Sequence, residues 1–251
     1  MREARKVRRP MECTVALSFP ASMPTHGLLA IGAADLRRAG IFLICLVAAI
    51  ALHEFSHAKV ADWLGDPTPR REGRVTLNPL AHADPIGTLL LPVVFALSAP
   101  GMLFGWGRPV PTNPALYRRN VSMRAGMAMV AFAGPAMNFL LALASAVVLG
   151  LSLRLGLPIG TVTADHPLYV FYSLNLVLFA FNLIPIHPLD GGKILAWLLG
   201  ARRQHVDVFL QQYGPWILLA LIVLPPGRMV LHLMLSPIYR LAQALIFAIA
   251  G

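Results

Sequence analysis

Long apolar runs separated by short clusters of positive charge dominate the chain. From Gly40 to Ala58 the only formally charged residue is Glu54. Extended at its polar end to Leu64, this run predicts a helix that crosses most of a bilayer. The uncharged runs from Ala125 to Leu153 and from Pro167 to Leu189 predict two further spans.

Two other apolar regions contain helix-breaking residues. The segment from Pro85 to Gly107 is uncharged but is interrupted by prolines and glycines, and arginines lie on both of its flanks. Because loops rich in Lys and Arg stay on the cytoplasmic side, we expect it to enter and leave by one face as a re-entrant segment. The runs Tyr213 to Leu224 and Met229 to Ala250, separated by Pro-Pro-Gly-Arg, predict a helical hairpin or a broken span.

The N-terminal region is less informative. Its first ten residues are strongly basic, and the stretch from Thr14 to Ala34 is weakly apolar and interrupted by Pro20, Pro24 and Gly27. This stretch is compatible with a span, a surface segment or a disordered one. A cleaved signal peptide fits poorly, because the strongly apolar part begins late. We therefore predict two regions, a basic and weakly apolar segment at 1–38 and a single membrane-embedded domain at 39–251.

Composition supports a membrane protein. Apolar residues make up 57% of the chain and charged residues 13%, against about 25% charged in soluble domains. We predict an all-α polytopic membrane protein, a helical bundle with a re-entrant segment and a broken helix. The net charge of +10 arises from basic residues between the apolar runs, which orient the chain in the membrane, so no nucleic-acid partner is expected. Cys13 and Cys45 are too few for a disulfide framework.

The most informative polar cluster is HEFSH, inside the first apolar run. His53 and His57 are four positions apart, so on a helix their imidazoles can point at a single metal ion. In the H-E-x-x-H pattern a zinc ion lowers the pKa of its water to about 7, and the glutamate, here Glu54, takes the proton. Two surface histidines would give the same letters by chance. Ionisable residues within a transmembrane helix, however, are costly and usually functional.

A catalytic zinc ion needs a third protein ligand and an open fourth position. Asp190 is the candidate, since it stands directly after a long apolar run. The following Gly191 and Gly192 allow the tight turn of a broken helix. The alternative is that Asp190 caps a helix starting near Gly192. If the arginines from Arg70 to Arg74 are cytoplasmic, the order of spans brings Asp190 to the same cytoplasmic depth as the histidines.

Several motifs in order resemble the site-2 protease family of intramembrane zinc metalloproteases, in its compact prokaryotic form. They cover roughly residues 40–200, the expected catalytic core, and read HEFSH, GDPTPRREGRVTLNPLAHADPIGTLLLP, FGWGRPVPTNP, AGPAMNF and NLIPIHPLDGGKIL. The resemblance implies one zinc ion held by His53, His57 and Asp190, with Glu54 as the catalytic base. It also implies that Asn182 lies near the active site, where it steadies the substrate or the oxyanion.

Three other polar residues have more than one interpretation. Asn138 matches a family position that faces the core, but a buried asparagine can also simply bond to a neighbouring helix. His187 stands where related sequences often have proline; it could support the site, compete for the metal, or be a polar residue at the membrane interface. His82 lies in a loop that could form the re-entrant edge that receives substrate.

The expected function is an intramembrane zinc endopeptidase that cuts transmembrane segments of membrane-protein substrates. The alternative is a metal or proton transporter that uses the same cluster, although such proteins usually spread ionisable groups along several helices or show two similar halves. A non-catalytic scaffold is disfavoured by the intact Glu54. We expect a multi-pass protein of a prokaryotic cell membrane, with the bilayer as a partner and the site toward the cytoplasm. The sequence leaves the oligomeric state open.

Overall fold

A computed structural model describes residues 32–90, 106–156 and 165–251, and these residues contain helices but no strand. The longer helices are α1 (Ala33–Trp63), α2 (Met123–Arg154), α3 (Pro167–Asn182), α4 (Asp190–Leu199), α5 (Gln204–Val223) and α6 (Pro225–Ala250). Short helical turns lie between them at Thr68–Arg71, Pro79–Ala81, Pro85–Leu90, Pro114–Leu116 and Ala201–Arg203. The predicted all-α fold is confirmed.

Four helical stretches of the described residues are long and apolar enough to cross a bilayer. They are Leu36–Trp63, Met123–Arg154, Ala201–Val223 and Pro225–Ala250. The prediction of a polytopic membrane protein is therefore confirmed. The last two are joined at Leu224, and α5 packs against α6, so this region is the predicted hairpin.

The predicted span from Pro167 to Leu189 is wrong at its C-terminal end. Helix α3 stops at Asn182 after 16 residues, about 24 Å, whereas a bilayer core is about 30 Å thick. The chain then turns until α4 begins at Asp190. Pro185 and Pro188 lie in this turn and have no amide hydrogen to continue a helix. This is the broken helix that the sequence predicted.

Helix α2 is the centre of the bundle, since it packs against α1, α3, α4 and α6. Ser122 caps its N-terminus by accepting a hydrogen bond from the Ala125 amide at 3.3 Å. Small buried residues along α2 let neighbouring helices approach closely, as is common in membrane proteins. The main apolar cluster consists of Ala142, Ala146, Leu149, Tyr172, Leu176 and Ile246.

Helices α1 and α3 begin at the same end of the bundle. The Arg38 guanidinium bonds to the Asp165 carboxylate at 2.8 Å, and Cys45 Sγ lies 3.6 Å from the Pro167 carbonyl oxygen. Both helices therefore run in one direction and α2 runs back between them. This order brings Asp190 to the depth of the histidines, as the topology argument predicted.

The two described ends of the proposed re-entrant segment are bonded to each other. The Trp106 amide donates to the Gly87 carbonyl at 3.1 Å, and the Thr88 hydroxyl donates to the Trp106 carbonyl at 2.7 Å. The two described flanks therefore lie together, whereas residues 91–105 lie outside the described residues and the re-entrant path stays a prediction. Most of the weakly apolar stretch from Thr14 to Ala34 also lies outside the described residues, which begin at residue 32. The predicted boundary between the N-terminal segment and the membrane domain, at residue 38, stays a prediction.

Hydrogen bonds hold the loop after residue 106 against the C-terminal end of α1. Asp66 is fully buried, and its carboxylate accepts hydrogen bonds from the amides of Thr68 at 2.9 Å and Asn113 at 2.6 Å. The Arg118 amide donates to the Leu64 carbonyl at 2.8 Å. These bonds fix the loop beside the histidine-bearing helix, so it can form a wall of the site.

Candidate metal centre

Three side chains from two distant parts of the sequence converge inside the bundle. His53 and His57 lie on one face of α1, and Asp190 is the first residue of α4. Asp190 Oδ2 is 3.2 Å from the Nε2 atom of each histidine, and the two Nε2 atoms are 3.0 Å apart. All three residues are buried. The structure thus brings together the three ligands that were predicted from the sequence.

The hydrogen bond made by Nδ1 of each imidazole shows that Nε2 is the nitrogen that faces the cluster. His57 Nδ1 lies 2.6 Å from the Val130 carbonyl oxygen. Because a carbonyl can only accept, Nδ1 carries the hydrogen and Nε2 presents a lone pair. His53 Nδ1 lies 2.5 Å from Asn138 Oδ1, with the same consequence. Three acceptor atoms therefore meet, and only a proton or a cation can stabilise them at this spacing.

A zinc ion fits this donor set. Two imidazoles and one carboxylate make a common catalytic zinc site, with bonds of about 2.0–2.1 Å and one position left open. Tetrahedral ligands at those bond lengths are about 3.3–3.4 Å apart, close to the 3.0–3.2 Å found here. The buried group could hold one such ion.

Asp190 does not cap a helix, which was the alternative interpretation. Leu189 occupies the N-cap position of α4, and the helix has no side-chain cap hydrogen bond there. The carboxylate turns instead toward the histidines, and Lys193 Nζ lies 3.6 Å from its other oxygen, Oδ1. Of the two interpretations, the geometry favours the metal ligand.

Glycines allow the backbone to approach the cluster closely. A Cβ atom on Gly134 of α2 would lie 2.6 Å from His53 Nε2, so a larger residue would displace the imidazoles. A Cβ atom on Gly191 would lie 2.5 Å from the Leu183 carbonyl oxygen, inside the turn that joins α3 to α4. Steric crowding therefore explains why the AGPAMN and LDGG motifs have glycine at these two positions.

A cavity of about 410 Å³ opens beside the cluster, and both predicted catalytic residues, Glu54 and Asn182, line it. Asn182 Nδ2 donates one hydrogen bond to the Leu178 carbonyl at 2.9 Å, and the amide keeps a second N–H. The other residues of the cavity wall come from α1, α2, α3, α4 and α5 and from the loop after residue 106. They include Ile50, Trp106, Gly107, Pro109, Val110, Thr112, Val130, Leu178, Phe181, Pro188, Leu189, Lys193 and Leu218.

The two ambiguous histidines lie apart from the cluster. His187 Nε2 lies 2.9 Å from Asp207 Oδ1 on α5, so this side chain joins the turn before Asp190 to the outer hairpin. His82 is fully buried, and its Nε2 lies 2.9 Å from the Thr76 carbonyl oxygen. The His82 carbonyl accepts from the Arg108 amide at 2.8 Å. Neither histidine belongs to the group of described residues that could hold a metal ion.

Sequence reasoning missed two residues at the site, Asn175 and Lys193. Asn175 is fully buried and bonds to Asn138, and Lys193 lies beside Asp190. A signal for Asn175 was present, because it lies seven positions before Asn182 and thus on the same side of one apolar helix. Lys193 follows Asp190 by three positions, a spacing that makes helical neighbours.

Comparisons with known proteins agree with this geometry. Residues 153–225 match peptidase family M50. YwhC of Bacillus subtilis, named as a zinc metalloprotease, is 36% identical over 199 residues, which cover 77% of this chain and 85% of YwhC. Two proteins called Rip2, also named as zinc metalloproteases, are similar. That of Mycolicibacterium smegmatis is 32% identical, covering 79% of this chain and 75% of its own length. That of Mycobacterium tuberculosis H37Rv is 30% identical, covering 82% and 80%. No solved structure matches the chain significantly.

Proposed function

Because the chain belongs to peptidase family M50, the site-2 protease family of zinc metalloproteases, we propose that it hydrolyses peptide bonds in or near the transmembrane segments of membrane proteins. One observation carries this proposal: the acceptor atoms of His53, His57 and Asp190 meet beside Glu54 in a cavity within a bundle of apolar helices. The family and the named relatives disfavour the transporter alternative.

The roles of the site residues follow from their chemistry. His53, His57 and Asp190 would hold one zinc ion, which would supply a Lewis acid and lower the pKa of a water molecule to about 7. Glu54 accepts a proton as the water oxygen attacks the peptide carbonyl carbon. It then gives that proton to the leaving nitrogen as the C–N bond breaks. Asn182 donates its second N–H to the carbonyl oxygen, where negative charge develops.

The enclosure explains how water-dependent chemistry can occur at membrane depth. The cluster is surrounded by protein rather than by lipid, and the broken α3–α4 connection and the loop after residue 106 border the cavity. Non-helical backbone at membrane depth is tolerated where it lines such a cavity. A substrate helix has to unwind locally there, because its peptide groups are otherwise bonded within the helix.

We also propose that the site lies toward the cytoplasm of a prokaryotic cell. Arg70, Arg71 and Arg74 follow the histidine-bearing helix, and positively charged loops stay inside. Single cysteines placed near Arg74 and near Arg118 should react with an impermeant thiol reagent from the cytoplasmic side, in a background lacking Cys13 and Cys45. Labelling from the opposite side would reverse the orientation and leave the peptidase chemistry untouched.

The test of function is cleavage of a labelled transmembrane peptide by the protein reconstituted in lipid vesicles. Glu54→Gln keeps the size of the side chain but removes its capacity to accept the proton. We expect at least about a 10²-fold loss of cleavage with unchanged zinc content. Glu72→Gln, on the exposed loop after the Thr68–Arg71 turn, is the matched control and should cleave at the native rate. Native-rate cleavage by Glu54→Gln would rule out the proposed mechanism.

A further inference from the structure

Two fully buried asparagines continue from His53 into the bundle. Asn138 Oδ1 lies 2.5 Å from His53 Nδ1, and Asn138 Nδ2 donates to Asn175 Oδ1 at 2.8 Å. Asn175 Nδ2 then donates to the Phe171 carbonyl oxygen at 2.8 Å. Both amides are 0% exposed, so water does not compete for these bonds. The chain of bonds crosses α1, α2 and α3 and ends on a backbone carbonyl.

That carbonyl fixes the direction of every bond in the chain. The Phe171 oxygen can only accept, so Asn175 must turn its NH₂ group toward it and its oxygen toward Asn138. Asn138 must then use its own NH₂ group for Asn175, which leaves Oδ1 for His53. His53 therefore carries its hydrogen on Nδ1. In the neutral imidazole, Nε2 then presents its lone pair to the metal centre, and the bond chain fixes this tautomer.

The two histidines are supported by different kinds of partner. His57 Nδ1 bonds to the backbone oxygen of Val130, which no side-chain substitution removes. His53 Nδ1 bonds to a side-chain amide, which could rotate by half a turn and offer a donor instead. The contact to Asn175 prevents that rotation. The orientation of His53, unlike that of His57, thus depends on hydrogen bonds to side chains of α2 and α3.

We propose that Asn138 is a positioning residue that holds His53 in its metal-binding tautomer, and that Asn175 acts by fixing the orientation of Asn138. The inference rests on the proposed ligand role of His53. Outer partners of ligating histidines commonly orient the ring, and their loss typically weakens metal binding about 10- to 100-fold. On this proposal, Asn138 orients a metal ligand in addition to joining two helices.

A positioning role and a purely helix-joining role of Asn138 predict opposite rankings of zinc affinity for two substitutions of this residue. Asn138→Leu removes both polar groups, whereas Asn138→Asp keeps an acceptor for the His53 N–H. If Asn138 positions His53, Leu weakens zinc binding about 10- to 100-fold and Asp stays within a few-fold of the native protein. If Asn138 merely joins helices, a buried carboxylate is the more harmful change and Leu is tolerated. Asn175→Leu should fall between the native protein and Asn138→Leu.

The experiment measures zinc affinity of the full-length protein in detergent by competition with a chromophoric chelator. The visible spectrum of the Co²⁺-substituted protein reports ligand geometry, and we expect it to change in Asn138→Leu. Ser145→Ala is the matched control, because Ser145 is buried on the same helix and, among the described residues, its hydroxyl bonds only to the Leu141 carbonyl at 2.8 Å. It should leave both readouts unchanged. If Asn138→Leu does not fold, Asn175→Leu, which touches no ligand, carries the same test.

The outcomes separate this inference from the proposed function. His53→Ala with native zinc affinity would refute the ligand assignment itself. Loss of zinc in His53→Ala, together with native affinity and an unchanged Co²⁺ spectrum in Asn138→Leu and Asn175→Leu, would overturn the positioning role alone. Weaker binding by Asn138→Asp than by Asn138→Leu would overturn it as well.

Discussion

The inner helices α1–α4 and the outer hairpin α5–α6 both contain spans apolar enough to cross a bilayer, but the two regions have different environments. In the most apolar windows of α1 and α2, 39% of residues are buried inside the protein, against 11% and 6% for the spans of the hairpin. The buried side-chain bonds of the site also join inner helices, from His53 through Asn138 to Asn175. Hydropathy alone does not show which apolar span is buried in protein and which faces lipid, because lipid and protein interior are equally apolar.

The difference indicates a division of labour. The inner helices enclose the polar cluster and fix its geometry through small residues and amide bonds. The hairpin presents large apolar side chains outward and reaches the site at few points, notably Leu218 in the cavity wall and Asp207 bonded to His187. Substitutions in the inner helices should therefore affect metal binding and chemistry, whereas those in the hairpin should mainly affect stability.

The largest effect is expected from a matched pair of glycines on α2. Gly134→Ala places a methyl group 2.6 Å from His53 Nε2, whereas Gly150→Ala places one 2.7 Å from Ile249 Cβ on the hairpin. We expect Gly134→Ala to lose zinc and to reduce cleavage at least about 10²-fold, since misplacement by about 1 Å can cost that much. Gly150→Ala should keep one zinc ion per chain. Equal zinc content in both variants would contradict the division between the two regions.

The next effect concerns the bond between the hairpin and the metal-binding turn. Asp207→Ala leaves His187 without its partner and removes the contact with Gln211, which donates to Asp207 at 3.0 Å. We expect a loss of about 1.5–3 kcal/mol in the free energy of unfolding, the range for hydrogen bonds to charged groups. Denaturation of the purified protein measures it. His187→Ala combined with Asp207→Ala should cost little more than either change alone.

A smaller effect is expected at Lys193, which is partly exposed. Its Nζ atom lies 3.6 Å from Asp190 Oδ1, and its side chain is 44% exposed. Exposed ion pairs contribute about 0.2–1 kcal/mol, so Lys193→Met should change the zinc affinity by no more than about fivefold. Lys193→Arg keeps the charge and should bind zinc like the native protein. A loss of about 10²-fold in Lys193→Met would make this lysine part of the essential site.

The smallest effect is expected on the outward face of the hairpin. Leu219 is 51% exposed, whereas the adjacent Leu218 is 8% exposed and lines the cavity. Leu219→Ala should change the thermal midpoint and cleavage little, because surface substitutions usually stay within about 0.5 kcal/mol. Leu218→Ala should raise the KM for a transmembrane peptide. A larger effect from Leu219→Ala would mean that this face contacts protein and not lipid.

The sequence was most informative where charge is rare. Glu54 and Asp190 stood out because each is a charged residue beside long apolar runs, and the structure places both at the cavity. It was less informative about helix ends. The predicted run to Leu189 included the turn after Asn182, since hydropathy does not register a chain reversal, and α5 begins at Gln204, earlier than the apolar run at Tyr213.

Partners of neutral polar residues were harder to predict than the ligands. Nothing in the sequence pairs His187 with Asp207, because that contact depends on how α5 packs beside the turn. Likewise, Asn138 and Asn175 meet only through the packing of α2 on α3. A periodic pattern identifies which face of a helix is polar, but not which face of another helix it meets.

The most direct test of the account compares zinc content in two variants that each lose one aspartate. Asp190→Ala removes a proposed ligand in the inner bundle, and Asp207→Ala removes a carboxylate of the hairpin beside the same turn. Elemental analysis of the purified proteins should give about one zinc ion per chain in the native protein and in Asp207→Ala, and far less in Asp190→Ala. Full zinc occupancy in Asp190→Ala, or equal loss in both variants, would contradict a metal centre built from His53, His57 and Asp190.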